Sequence, residues 1–209
     1  RCCTFLAQTD IIEKTKLRGI QMRKDRFEAF FDAVMAIIMM IVVLEFAVPK
    51  GTDWSNVKGV MFQVVVYAIS FFYLGMMWMN IHTLWHNVEY ITRGVMWVNM
   101  IMLFFSSMLP FWVVYLGRNF FALVPQLLYG MDVLLITITN FVSAELLRKY
   151  NPTLNYGVEY LRCGMILDIS TKLIGIIVAL IWYPPAITIS VIVAMVVLSF
   201  NFTLLRRKK

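Results

Sequence analysis

Charge is scarce in this chain. Asp, Glu, Lys and Arg make up 15% of its 209 residues, and 61% are hydrophobic. A soluble domain carries about a quarter charged residues and about half apolar ones. The mean hydropathy of +0.76 excludes that class. Cysteine is scarce as well: Cys2, Cys3 and Cys163 make no disulfide framework. Cys2 and Cys3 are of a type that lipids or metals take, but read more simply as an incidental pair, and Cys163 as a packing residue. The chain has no phosphate-cradling Walker loop, no dinucleotide glycine pattern and no HExxH helix. It also has no TVGYG segment, which excludes a channel filter built from carbonyl rings. No internal repeat or low-complexity segment is found. No short apolar core with a small-residue cleavage site follows the first residues, so no cleavable signal peptide is expected.

Long apolar runs are what the chain has in place of these. They are continuous rather than alternating over ten-residue segments, which predicts an all-α integral membrane protein and not a barrel. Six spans are expected, over about 27–48, 56–84, 94–115, 120–146, 161–182 and 186–204. Gly117, Arg118 and Asn119 close the third, Pro125 lies in the first turns of the fourth, and Pro184 and Pro185 separate the last two. The chain divides into a basic arm (1–25), a six-helix membrane domain (26–205) and a basic tail (206–209). The arm mixes Ile, Leu and Met with Lys and Arg, as an amphipathic surface helix or a disordered leader does.

Basic residues fall on one side of this arrangement. Lys14, Lys16, Arg18, Arg23, Lys24 and Arg26 precede the first span, Arg93 lies between the second and third, and Arg148, Lys149 and Arg162 lie between the fourth and fifth. Arg206, Arg207, Lys208 and Lys209 close the chain. The opposite side has Lys50, Lys58 and Arg118. The positive-inside rule places both termini in the cytoplasm, which requires an even number of spans. The net charge of +7 is then accounted for by topology and lipid headgroups, and no nucleic-acid partner is implied.

Four constellations carry candidate chemistry. Arg26, Glu28 and Asp32 open the first span. Arg26 and Asp32 do not share a helical face, so they either reach neighbouring helices or snorkel to headgroups. On the second span Trp78, His82, Trp85, His86 and Glu89 recur at spacings of three and four. A hydrogen-bonded anchor for the first span, through Asp32, fits them better than zinc, for which no further ligand lies nearby. Proton sensing and an aromatic belt are the other readings of this stripe. Asp168 and Lys172 stand at i, i+4 with the acid first, the order that favours an intramembrane ion pair. A coupling site for transport is the alternative. Asp132 has no partner within a turn. The fourth constellation, Ile37, Met40, Ile41 and Leu44, shares one face of the first span. That helix is apolar nearly all round, and periodicity alone chooses no pore face.

Arg26 to Pro49 resembles the signature of the transmembrane protein 175 family of potassium channels. That signature is an Arg, three residues, then Phe-Ser-Asp, opening a helix of the form AIxxTLxVLxxxxP. Here it reads Arg26, Phe30, Phe31, Asp32, then Ala36, Ile37, Met40, Ile41, Val43, Leu44 and Pro49. Two positions depart from it: Phe31 stands for the Ser, and Met40 for the Thr. The resemblance implies a single-repeat, prokaryotic-type member that assembles as a homotetramer, a multi-pass protein of the plasma membrane. Its first helices would line a central pore for potassium ions. Ile37 would form the narrowest ring, with Met40 or Ile41 and then Leu44 lining the path. Arg26, Asp32, His82 and Trp85 would form the network supporting this helix. No cofactor, metal or catalytic residue is implied. Such an apolar constriction imposes a dehydration barrier, and selectivity weaker than that of a carbonyl filter is expected. A proton-coupled secondary transporter using Asp132, Asp168, Lys172 and the histidines is the competing reading. No inverted repeat supports it. A membrane scaffold or lipid-modifying enzyme is the other, and no nucleophile–base constellation supports an enzyme.

Overall fold

A computed structural model describes residues 24–44, 53–86, 88, 91–151 and 155–207. Over these the chain is all-helical. Helix α1 spans Lys24–Leu44, α2 Trp54–His86, α3 Arg93–Arg118, α4 Leu123–Tyr150, α5 Asn155–Ile181 and α6 Ala186–Arg207. The expected six-helix architecture is observed. Helices α1 to α5 are each long and apolar enough to cross a bilayer, and α6 contributes an apolar stretch over Ala186–Val197. Large apolar side chains such as Phe72, Trp97, Phe111 and Ile181 are exposed on the surface. A water-soluble monomer does not tolerate that density of apolar surface. The chain is a multi-pass membrane protein.

Local chemistry sets the helix ends. Thr92 caps α3, its hydroxyl accepting from the Val95 amide. At the other end the Asn119 amide bonds the Leu116 carbonyl, and Ala122 bonds Asn119. These bonds make residues 119–122 a turn, so α4 starts at Leu123 and not at 120. Its far end runs past 146 to Tyr150, where Arg148 and Lys149 complement the helix dipole. Tyr183, Pro184 and Pro185 form the turn between α5 and α6, as expected. Helix α5 begins at Asn155 rather than 161, because its polar first turns continue a helix that hydropathy alone truncates. The basic arm up to residue 23, Cys2, Cys3, Pro49, Lys50 and Glu89 lie outside the described residues, as do the side chains of Lys58 and His86 and the last two lysines.

Helices α3 and α4 pack as one hairpin and α5 and α6 as another, with α4 in contact with α3, α5, α6 and α2. Helix α1 leans on α3 and α2 and stands at the edge. Small residues set the tightest approaches. A Cβ built on Gly117 of α3 would lie 2.7 Å from the Gln63 Cα of α2, and one on Gly175 of α5 would collide with Ser190 of α6. Membrane helices use such residues to bring backbones together. Gly117→Ala is therefore expected to lower the unfolding midpoint of the detergent-solubilised protein. Alanine is the better helix former by about 1 kcal/mol, but overpacking against backbone costs about 1–3 kcal/mol. A raised midpoint would show that α2 gives way.

Candidate functional site

Helix α1 has two unlike faces. Phe27, Phe31, Met35, Ile38 and Val42 recur at three- and four-residue steps and are buried against the rest of the subunit. The other face is left uncovered. Ile37 is 59% exposed, Met40 74%, Ile41 39% and Leu44 81%. At 100° per residue these four lie within roughly 100° of one another. All four expected pore residues thus share the stripe that the subunit does not cover.

The base of α1 is held by α2. The Trp78 indole Nε1 donates to Asp32 Oδ1 at 2.7 Å. The His82 ring stacks on Trp78, centroids 5.4 Å apart, and its Nδ1 lies 3.4 Å from Glu28 Oε1. Asp32 and Glu28 are one turn apart on α1, and Trp78 and His82 one turn apart on α2. The two helices are therefore joined by two parallel rungs. Trp85 is placed differently from the expectation. It is buried between the rings of Phe27 and Phe31, at 5.5 and 5.1 Å, and its Nε1 has no hydrogen-bond partner among the described residues. It supports α1 by aromatic packing, not as a member of the polar network. Phe31, standing where the family signature has Ser, supplies half of that packing. Arg26 is exposed and joins neither rung. Trp78 and Glu28 make the direct contacts, and the sequence signal for them was the stripe and the charged opening to which they belong.

A second polar cluster lies deep in the bundle. Lys172 Nζ of α5 donates to Asp168 Oδ2 at 2.8 Å and to the Thr137 hydroxyl of α4. It also lies 3.5 Å from the Tyr73 hydroxyl of α2 and 4.5 Å from the centre of that ring. The Tyr73 and Thr137 hydroxyls are 2.9 Å apart. Both partners of the ion pair are buried. A buried pair is tolerated only when further hydrogen bonds complete it, and here Thr137 and Tyr73 do so for the ammonium. One oxygen of Asp168 and one of Asp132 are buried without a hydrogen-bond partner among the described residues.

Helix α4 is the hub of this interior. Its Gln126 accepts from Thr188 of α6 at 2.9 Å, and its Tyr129 meets Ser70 of α2 at 3.1 Å. Its Thr137 joins α2 and α5, and its Ser143 accepts from Asn99 of α3 at 2.8 Å. One polar face thus reaches every neighbouring helix. Among the described residues, no three His, Cys, Asp or Glu side chains converge as a metal site would require.

Residues 26–110 match the family model described as endosomal/lysosomal potassium channel TMEM175. A potassium channel from Chryseobacterium sp. (strain P1-3) is 36% identical over 117 residues, 56% of this chain and 61% of that protein. A potassium channel from Streptomyces collinus (strain DSM 40733 / Tue 365) is 32% identical over 89 residues, 41% of this chain and 43% of that protein. The matches thus span less than two thirds of these relatives. In three dimensions the chain is similar to the crystal structure of a lysosomal potassium-selective channel TMEM175 homolog from Chamaesiphon minutus. The TM-score is 0.74 at 21% identity, covering 88% of this chain and 98% of that one. That likeness establishes the fold.

Proposed function

We propose, from the match of residues 26–110 to the TMEM175 potassium-channel family model, that this chain is a subunit of a potassium-permeable channel whose pore is lined by α1. The channel is a homotetramer in the plasma membrane with both termini cytoplasmic. The observation that carries the reading is the uncovered stripe of α1. A helix held on one side by α2 and α3 offers Ile37, Met40, Ile41 and Leu44 to whatever lies beyond the subunit. Four copies around an axis turn that stripe into concentric apolar rings. Ile37 forms the tightest, and ions pass it only by shedding water. Potassium is dehydrated more easily than sodium, which gives a modest preference. The rungs Asp32–Trp78 and Glu28–His82 hold the mouth of α1 at a fixed angle, and Trp85 wedges its buried face.

The experiment is recording from purified protein in a planar bilayer, with potassium on one side and sodium on the other. Discrete unitary currents that reverse on the potassium-selective side of zero are expected. A silent bilayer with saturable, proton-driven uptake into liposomes would instead establish a carrier. Met40→Thr, which restores the family's residue on the same stripe, is expected to raise unitary conductance. A hydroxyl there offers a permeating ion a partner that a thioether does not. Unchanged conductance in that variant would place Met40 off the path.

A further inference from the structure

We propose that Tyr73, clamped by the Asp168–Lys172 pair and Thr137, is a positioning residue for the pore helix and acts on it through α2. The proposal rests on the pore reading above. Its ground is how α2 is held. One face meets α4 and α5, where the Tyr73 hydroxyl sits 2.9 Å from Thr137 and donates to the Val133 carbonyl at 3.2 Å. The Lys172 ammonium reaches both that hydroxyl and the face of the ring. Another face meets α1, through the Trp78–Asp32 bond and the His82–Glu28 contact. Tyr73 and Trp78 are five residues apart, roughly 140° around the helix and about 7.5 Å along it. A single helix, unbroken from Trp54 to His86, carries both.

Among the described residues, helix α1 packs chiefly on α3 and α2. The element that touches both the buried pair and the pore helix is α2. The clamp is also costly for a mere strut. It buries an ammonium, a carboxylate and two hydroxyls where apolar side chains of equal volume would pack at least as stably. Its geometry is directional: a ring and a hydroxyl from α2 are gripped from two helices at once. That fixes the rotation of α2 about its own axis, a degree of freedom that apolar contacts leave soft. The same rotation sets where Trp78 and His82 present themselves to Asp32 and Glu28.

The test uses the full chain in planar bilayers with symmetrical potassium. Tyr73→Phe keeps the ring under Lys172 and removes only the hydroxyl. It is expected to change open probability about fivefold, the factor one ordinary hydrogen bond is worth. Unitary conductance and the potassium–sodium reversal potential should stay as in the unmodified protein, because nothing on the pore stripe changes. Trp78→Phe removes the bond to Asp32. The double variant should shift open probability by less than the product of the two single effects, since both loosen one linkage. Thr137→Val should reproduce Tyr73→Phe, and Thr137→Ser, which keeps the hydroxyl, should restore ordinary gating. This second pair carries the test if Tyr73→Phe does not fold. Currents in the unmodified protein with open probability unaltered by both Tyr73→Phe and Thr137→Val would overturn the proposal. So would strictly multiplicative effects in the double variant. An unmodified protein that conducts no current defeats the pore reading itself, and the positioning role with it.

Discussion

Ile37→Asn is expected to move the potassium-to-sodium permeability ratio toward unity and to raise unitary conductance several-fold. The argument is about water. Four branched side chains closing on an axis form a ring that offers a passing ion nothing in exchange for its hydration shell, so the barrier at that ring is the cost of dehydration. Asparagine is smaller, lacks the β-branch and carries an amide that accepts and donates hydrogen bonds. Water can then wet the constriction and escort either cation through. Lowering the barrier by about 1.4 kcal/mol is worth a factor of ten in rate. The variant should fold normally, since Ile37 is 59% exposed within the subunit and does not belong to its core. Ile37→Leu is the control and should keep an apolar ring with near-original selectivity. The measurement is the reversal potential under bi-ionic conditions. If Ile37 faced lipid instead, Ile37→Asn would leave the reversal potential where it was and lower only the yield of inserted protein.

The second large effect concerns the buried pair. Lys172→Met should all but abolish folded protein, whereas Asp168→Leu combined with Lys172→Met should recover most of it. Removing the ammonium alone leaves the Asp168 carboxyl group buried without its partner among apolar helices. Breaking such a pair from one side costs about 3–5 kcal/mol, a large share of the roughly 5–15 kcal/mol that holds a typical protein together. Removing both charges takes away the desolvation penalty with the attraction, and the two apolar side chains fill similar volume. The check is the monodisperse fraction by size-exclusion chromatography, with thermal unfolding of whatever remains. Equal loss in the single and double variants would show that the attraction within the pair, not the penalty of an orphaned charge, dominates. The recovered double variant should still gate abnormally, because Tyr73 has lost its grip.

Much of this architecture is legible in the residues. Bilayer thickness demands about twenty apolar residues per span, and that requirement marks α1 to α5, with a shorter apolar stretch in α6. The ends fail where polarity and helicity part company. Asn155 to Tyr160 is too polar to read as a span and is helical all the same, and Phe120 to Ala122 is apolar enough to read as one and turns. The charged opening and apolar run of α1 single it out as the helix proposed to line the pore. Which side of it matters is hidden, because an all-apolar helix has no contrast for periodicity to find. Only the packing of Phe31, Met35, Ile38 and Val42 against the subunit separates the covered face from the stripe at Ile37. The stripe of α2 was legible as the anchor of Asp32, but not which of its members makes the bond. Arg26 stood nearer in sequence and is not a partner, while Trp78, one turn before His82, supplies the bond. The α4 hub was illegible for a simpler reason. Gln126, Tyr129, Thr137 and Ser143 are single polar residues in an apolar helix, and each gains its meaning from a residue on another helix.

The placement of Asp168 and Lys172 on the same helix has a consequence for biogenesis. A membrane protein is threaded into the bilayer in order of synthesis, and α5 arrives when α1 to α4 are already there. Had its ammonium answered a carboxylate on α6, α5 would have had to enter carrying a bare charge and wait. With acid and base one turn apart, α5 enters already neutralised by its own side chains. It then needs only to dock against Thr137 and Tyr73, which belong to helices that precede it in the chain.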